Sequence, residues 1–94
     1  MSTDQKRPWT YLTNHTHLLV VLSRDPDARI RDMAERVGIT QRAVQRILGE
    51  LIDAGVLLVE KRGRRNHYSV NLDHHLRHPL EQGHDLRELL SILG

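Results

Sequence analysis

Two short stretches concentrate the side chains best suited to recognising a charged polymer. Gln41, Arg42, Gln45 and Arg46 lie within six positions, and Lys61, Arg62, Arg64 and Arg65 within five. Glutamine amides and arginine guanidinium groups present paired hydrogen-bonding atoms that match the edges of adenine and guanine, while arginine and lysine neutralise phosphates. Between Gln41 and Val70, six basic residues stand against the three acids Glu50, Asp53 and Glu60, a local net charge of +3 in a chain whose total is +2. Positive charge is thus gathered onto one segment of a nearly neutral body, which is the footprint of a phosphate-facing surface.

Seven histidines raise a second chemistry. His74, His75 and His78 form H-H-x-x-H, and on a helix His74 and His78 would share a face with Asp73 nearby, a candidate site for a zinc-like ion. Cysteine is absent, which excludes disulfides, thiolate metal sites and cysteine nucleophiles. A solvent-facing connector is the simpler account of these histidines, so no resident metal and no cofactor are expected. His15 and His17 fit a packing or subunit interface better than a metal site. There is no glycine-rich phosphate loop, no H-E-x-x-H and no plausible pair of catalytic carboxylates, so no catalytic residue is assigned and no enzyme is expected.

These side chains need a scaffold, and 94 residues with 38% apolar content allow one compact domain with a small core. The longest apolar run, Leu18 to Leu22, is far below the roughly 20 residues of a membrane span. With no apolar signal segment at the start, a soluble cytoplasmic protein without membrane contact is expected. Apolar periodicity predicts a helix over residues 14–23 with Thr13 as N-cap, and a second over 30–37 burying Ile30, Met33, Ala34 and Val37. A third follows Thr40 and carries Val44, Ile47, Leu48, Leu51 and Ile52 on one face. The period then becomes extended, with strands over 56–62 and 67–70 around a turn at residues 63–66. Residues 71–84 read as a connector with at most a short helical turn. A last helix over 85–93 aligns Leu86, Leu89, Leu90 and Leu93.

The stretch from Ile30 to Ile47 resembles a helix-turn-helix: Ala34 is the small residue where two helices cross, Gly38 sits in the turn, and Met33, Val37, Ile39, Val44 and Ile47 fill the apolar positions. The following Leu48, Leu51, Ala54-Gly55-Val56-Leu57 and basic hairpin extend the likeness, over residues 13–70, to the winged helix-turn-helix domains of MarR-like and ArsR-like bacterial regulators. The resemblance implies a mainly α fold with a small β-hairpin, namely a three-helix core plus wing, with an additional C-terminal helix. Three segments are expected: an N-terminal arm over residues 1–12, a DNA-binding domain over 13–70, and a connector and C-terminal helix over 71–94.

The implied function is sequence-specific binding of double-stranded DNA by a small transcriptional regulator. The helix after Thr40 would enter the major groove, with Gln41, Arg42 and Gln45 at base edges, Arg46 at a base or phosphate, and Thr40 both capping the helix and offering a phosphate contact. Lys61, Arg62, Arg64 and Arg65 would follow the backbone or the adjacent minor groove. Tyr68 and Val70 would pack the wing onto the body, and Gly49 either allows close approach of DNA or of the wing or is a tolerated imperfection of the helix. A homodimer formed by the first and last helices is expected, its effector unnamed. Alternatives are a protein-interaction or RNA-binding winged helix, or metal-dependent control through His74 and His78.

Overall fold

The computed structural model describes residues 8–94, so Lys6 and Arg7 of the expected arm lie outside the described residues. The elements follow in the order α1 (Asn14–Arg24), α2 (Ile30–Val37), α3 (Gln41–Asp53), β1 (Leu57–Arg62), β2 (Arg65–Val70), a 3-10 turn (Pro79–Glu81) and α4 (Leu86–Leu93). This is a mainly helical winged helix with a C-terminal helix. Among the described residues no helix is long and apolar enough to cross a membrane.

The core lies where the first three helices meet. Leu18 and Leu22 of α1, Met33 of α2, Val44 and Ile47 of α3 and Leu57 of β1 are all almost fully buried. Burying each such side chain favours folding by about 1.5–3 kcal/mol before entropy is counted. Ala34 lets α2 and α3 approach, and Val37 and Ile39 are half-buried beside it. Gly38 ends α2 at φ +84°, and its amide and that of Ile39 both donate to the Ala34 carbonyl, which turns the chain sharply into α3. Ile52 departs from the expected stripe and stands 36% exposed, because it is rotated past the edge of the face that Leu48 and Leu51 bury.

Thr13 precedes α1 in extended conformation, but its hydroxyl makes no capping bond; only its carbonyl accepts, from the His17 amide. The hairpin is longer than expected. Gly63, at φ +63°, permits a two-residue turn with Arg64, so pairing continues to Arg62↔Arg65 and the returning strand begins at Arg65.

The connector is ordered rather than loose. Asn71 donates to the Val56 carbonyl, His75 bridges Asp85, and Leu72 and Leu76 pack against the core. Asp85 and Glu88 then open α4 with a reciprocal capping box. Leu86 and Leu90 are 5% and 6% exposed and Leu89 and Leu93 half-buried, so the leucine stripe expected at a dimer contact is turned onto the chain's own body. Of the apolar residues on α4, Ile92 is the one left largely exposed. Arg24 of α1 also donates to the Leu93 carbonyl at 2.7 Å, fixing the end of that helix.

Two glycines should respond oppositely to alanine. Gly38→Ala forces a Cβ into the left-handed region and should destabilise by about 1–2 kcal/mol. Gly49 is helical and a Cβ there would meet nothing within 4 Å, so Gly49→Ala should stabilise by about 1 kcal/mol. Urea unfolding midpoints measure both.

Candidate nucleic-acid interface

Helix α3 begins cleanly because Thr40 holds an extended backbone and its Oγ1 accepts the Ala43 amide at 3.0 Å. With Val44, Ile47, Leu48 and Leu51 buried, the 100° advance per residue turns Gln41, Arg42, Gln45 and Arg46 outward, and all four are exposed. Gln41, Arg42 and Gln45 have no side-chain hydrogen bond among the described residues. Arg46 differs: its Nη1 donates to Glu50 Oε2 at 3.2 Å, and the other carboxylate oxygen lies 2.7 Å from Nε2 of His15 on α1. The His15 hydrogen bond, reinforced by Arg46, holds the Glu50 carboxyl below its ordinary value. Gly49 has open space around it, so the wing does not approach it.

The hairpin is seated by its second strand. The Tyr68 amide donates to the Pro26 carbonyl at 2.9 Å, its ring is buried, and His67 Nδ1 lies 2.8 Å from Asp27 Oδ1. Arg65 donates through Nη2 to the Asp27 carbonyl. The hydrogen bond from His67 holds the Asp27 carboxyl below its ordinary value, with the positive charges of Arg62 and Arg65 acting in the same direction. Arg62 bonds Glu60 Oε1 across its own strand, at 3.0 Å from Nε and 2.9 Å from Nη2. The four cations expected to act alike are therefore divided. Arg62 and Arg65 are engaged within the chain, whereas Lys61 and Arg64 are exposed and form no ion pair among the described residues.

A fifth cation joins them that the sequence did not single out. Arg29 is exposed at the N-cap of α2, and a cleft of about 430 Å³ has a lining that includes Arg29, Arg64 and Arg65 together with the acidic Asp27. The signal in the sequence was an arginine immediately before the first residue of α2. Its value becomes visible only when the hairpin folds back onto the loop that carries it.

The histidine arrangement does not form. Residues 74–78 are not helical: His74 hydrogen-bonds the His75 carbonyl, and His78 caps the 3-10 turn through Nδ1, which accepts the Leu80 amide at 3.1 Å. The two rings thus lack the shared helical face, because the strand-like pairing of His75 with Asp85 extends the backbone between them. Among the described residues no three His, Asp or Glu side chains are placed to hold a metal ion. His15 and His17 make contacts within the chain, to Glu50 and to Asn14.

Residues 13–57 match the family model described as winged helix-turn-helix DNA-binding. The match runs from the cap of α1 to the first residue of β1, so the wing and α4 lie beyond it. No curated protein matches the chain significantly.

Asp27, Glu50 and Glu88 each have a histidine partner, the last through His84 Nδ1 at 3.0 Å, and each titrates below its ordinary value of 3.8 or 4.5. A carboxyl depressed in the folded state stabilises fully above the unfolded value and loses that contribution as pH falls through the folded one. Stability should therefore decline below about pH 4, and more shallowly in an Asp27→Asn, Glu50→Gln, Glu88→Gln variant, as measured by urea unfolding across that range.

Proposed function

We propose, from the match of residues 13–57 to the winged helix-turn-helix DNA-binding model, that this protein is a sequence-specific, double-stranded DNA-binding transcriptional regulator of the MarR-like or ArsR-like bacterial kind. The observation that carries this reading is the exposed start of α3, where Gln41, Arg42 and Gln45 stand free beyond the Thr40 cap. In the major groove glutamine pairs with adenine and arginine with guanine, each good bidentate contact discriminating by about 1–3 kcal/mol. Thr40 and the positive end of α3 face a phosphate, and Arg46 reaches a base or phosphate after leaving Glu50.

Lys61 and Arg64 of the wing, joined by Arg29, follow the sugar-phosphate backbone or enter the minor groove. Arg62 and Arg65 contribute from their paired positions by shaping the wing. The chain acts by binding rather than catalysis, in the cytoplasm, and no metal or cofactor enters the proposal.

Two copies would place two α3 helices on half-sites about 10 bp apart or a multiple of it. Support for a homodimer no longer comes from the leucine stripe. It comes from the small core and from a second apolar surface, a cleft of about 570 Å³ whose lining includes Leu12, Val20, Val37 and Leu93.

Selection from random duplexes should yield a defined site. On that site Arg42→Ala and Gln45→Ala should each reduce discrimination against single-base changes by about 1–3 kcal/mol. Lys61→Ala, Arg64→Ala and Arg29→Ala should weaken all duplexes alike and lower the salt slope by about one per phosphate contact. Failure to select any site, or an unaltered preference in Arg42→Ala and Gln45→Ala, would refute the assignment of α3.

A further inference from the structure

Glu50 stands between α1 and the exposed face of α3, one turn beyond Arg46. A single carboxylate accepts from Arg46 with one oxygen and meets His15 with the other. The three side chains are 61%, 50% and 42% exposed for Arg46, Glu50 and His15, so these contacts can exchange with water or with a bound ligand. While Arg46 donates to Glu50, that N–H cannot donate to a nucleic acid, and the carboxylate beside it opposes an approaching phosphate.

We propose that Glu50 is a latch on Arg46 and that His15 sets the latch, so that duplex affinity rises when His15 carries a proton. The proposal rests on α3 being the recognition helix. With His15 neutral, Arg46 is the one full positive charge on Glu50, and its departure leaves a bare carboxylate beside the DNA. With His15 as imidazolium, Glu50 keeps a charged partner after Arg46 leaves. Transfer of Arg46 to DNA thus favours the protonated ring, and binding takes up a proton. By linkage, affinity falls as His15 gives up its proton.

Other charged groups face this pair. Arg77, Glu81, His74 and His75 of the connector line the same cleft of about 330 Å³ as His15, and Asp53 lies one turn beyond Glu50 on α3. Arg77 and Glu81 carry opposite charges, and among the described residues the side-chain hydrogen bond of His15 is to Glu50. That the carboxyl is held below its ordinary value chiefly by His15 agrees with this geometry. Glu50 is accordingly a positioning residue, acting on DNA through Arg46.

The test is fluorescence anisotropy with a duplex selected on the unaltered protein, at one salt concentration, at pH 6 and pH 8. The unaltered protein should bind about two- to fivefold more tightly at pH 6 through this pair, the range expected of an exposed ion pair. The chain has six further histidines, so the comparison that matters is between variants. His15→Gln should lose that share of the pH difference. Glu50→Gln should bind more tightly at pH 8 and show no further effect of His15→Gln.

In an Arg46→Met background the gain from Glu50→Gln should shrink. An equal gain with and without Arg46 would show simple repulsion between carboxylate and DNA and overturn the latch. An unchanged pH difference in His15→Gln would overturn the role of His15. Circular dichroism melts confirm that each variant is folded. If the unaltered protein bound no duplex, the recognition-helix reading itself would fail. Proton NMR of free protein at one pH separates that failure: the His15 ring resonances should move in Glu50→Gln, and unmoved resonances overturn the pairing directly.

Discussion

The packing of α2 on α3 is the constraint from which the rest of the molecule follows. Met33 and Ala34 on one helix and Val44 and Ile47 on the other close over Leu18 and Leu22 of α1. Once those positions are buried, helical geometry leaves no choice about which side of α3 meets solvent. Arg42 and Arg46 point outward because Val44 and Leu48 point inward. Gly38 sets the sharp turn that makes this crossing possible, since a left-handed residue there redirects the chain within two positions. The outward surface of α3 is therefore a product of core packing, and a change that loosened Met33 or Ile47 would misplace the polar face without touching it.

Where the chain's own periodicity is local, the sequence was informative. The bounds of α2, the caps Thr40 and Gly38, and the buried faces of α1 and α3 all follow from residues within a few positions of one another. Ile52 was misjudged because it lies at the rim of the apolar arc, where a single rotation step decides exposure. The start of β2 was misplaced by two residues because pairing depends on the turn that Gly63 permits, and composition alone suggested a wider one. The spacing of His74 and His78 would align them only on a helix, whereas the backbone there is claimed by pairing with Asp85, ten residues after His75. The leucines of α4 show the same limit. An apolar stripe says that something covers it, and only the tertiary fold shows that the cover is the same chain.

The charges illustrate the point more sharply. A count of basic residues treats Lys61, Arg62, Arg64 and Arg65 as equivalent, yet two of the four are engaged with Glu60 and with the loop before α2. Arg29, outside the counted segment, becomes their neighbour only through long-range folding. Charge density along a sequence thus marks a region without showing which of its side chains are held within the chain. The histidines behave similarly: instead of converging on one site, His15, His67 and His84 each pair with a separate carboxylate, and two of these pairs join elements distant in sequence.

The cations held within the chain have consequences for those left free. Arg65 and His67 both bind Asp27, and the Tyr68 amide binds Pro26, so three residues of the second strand of the wing are held by two adjacent residues of the loop before α2. The tip projects from that anchored root by a turn of two residues, which leaves Arg64 little backbone freedom. A contact made by a preorganised side chain forgoes less conformational entropy than one on a loose loop. Each exposed pair at the root is weak by itself, of the order of 0–1 kcal/mol. Their joint effect is geometric: they hold the root of the turn that carries Arg64. A wing with all four arginine and lysine side chains free would carry more charge toward DNA and hold less of it in place.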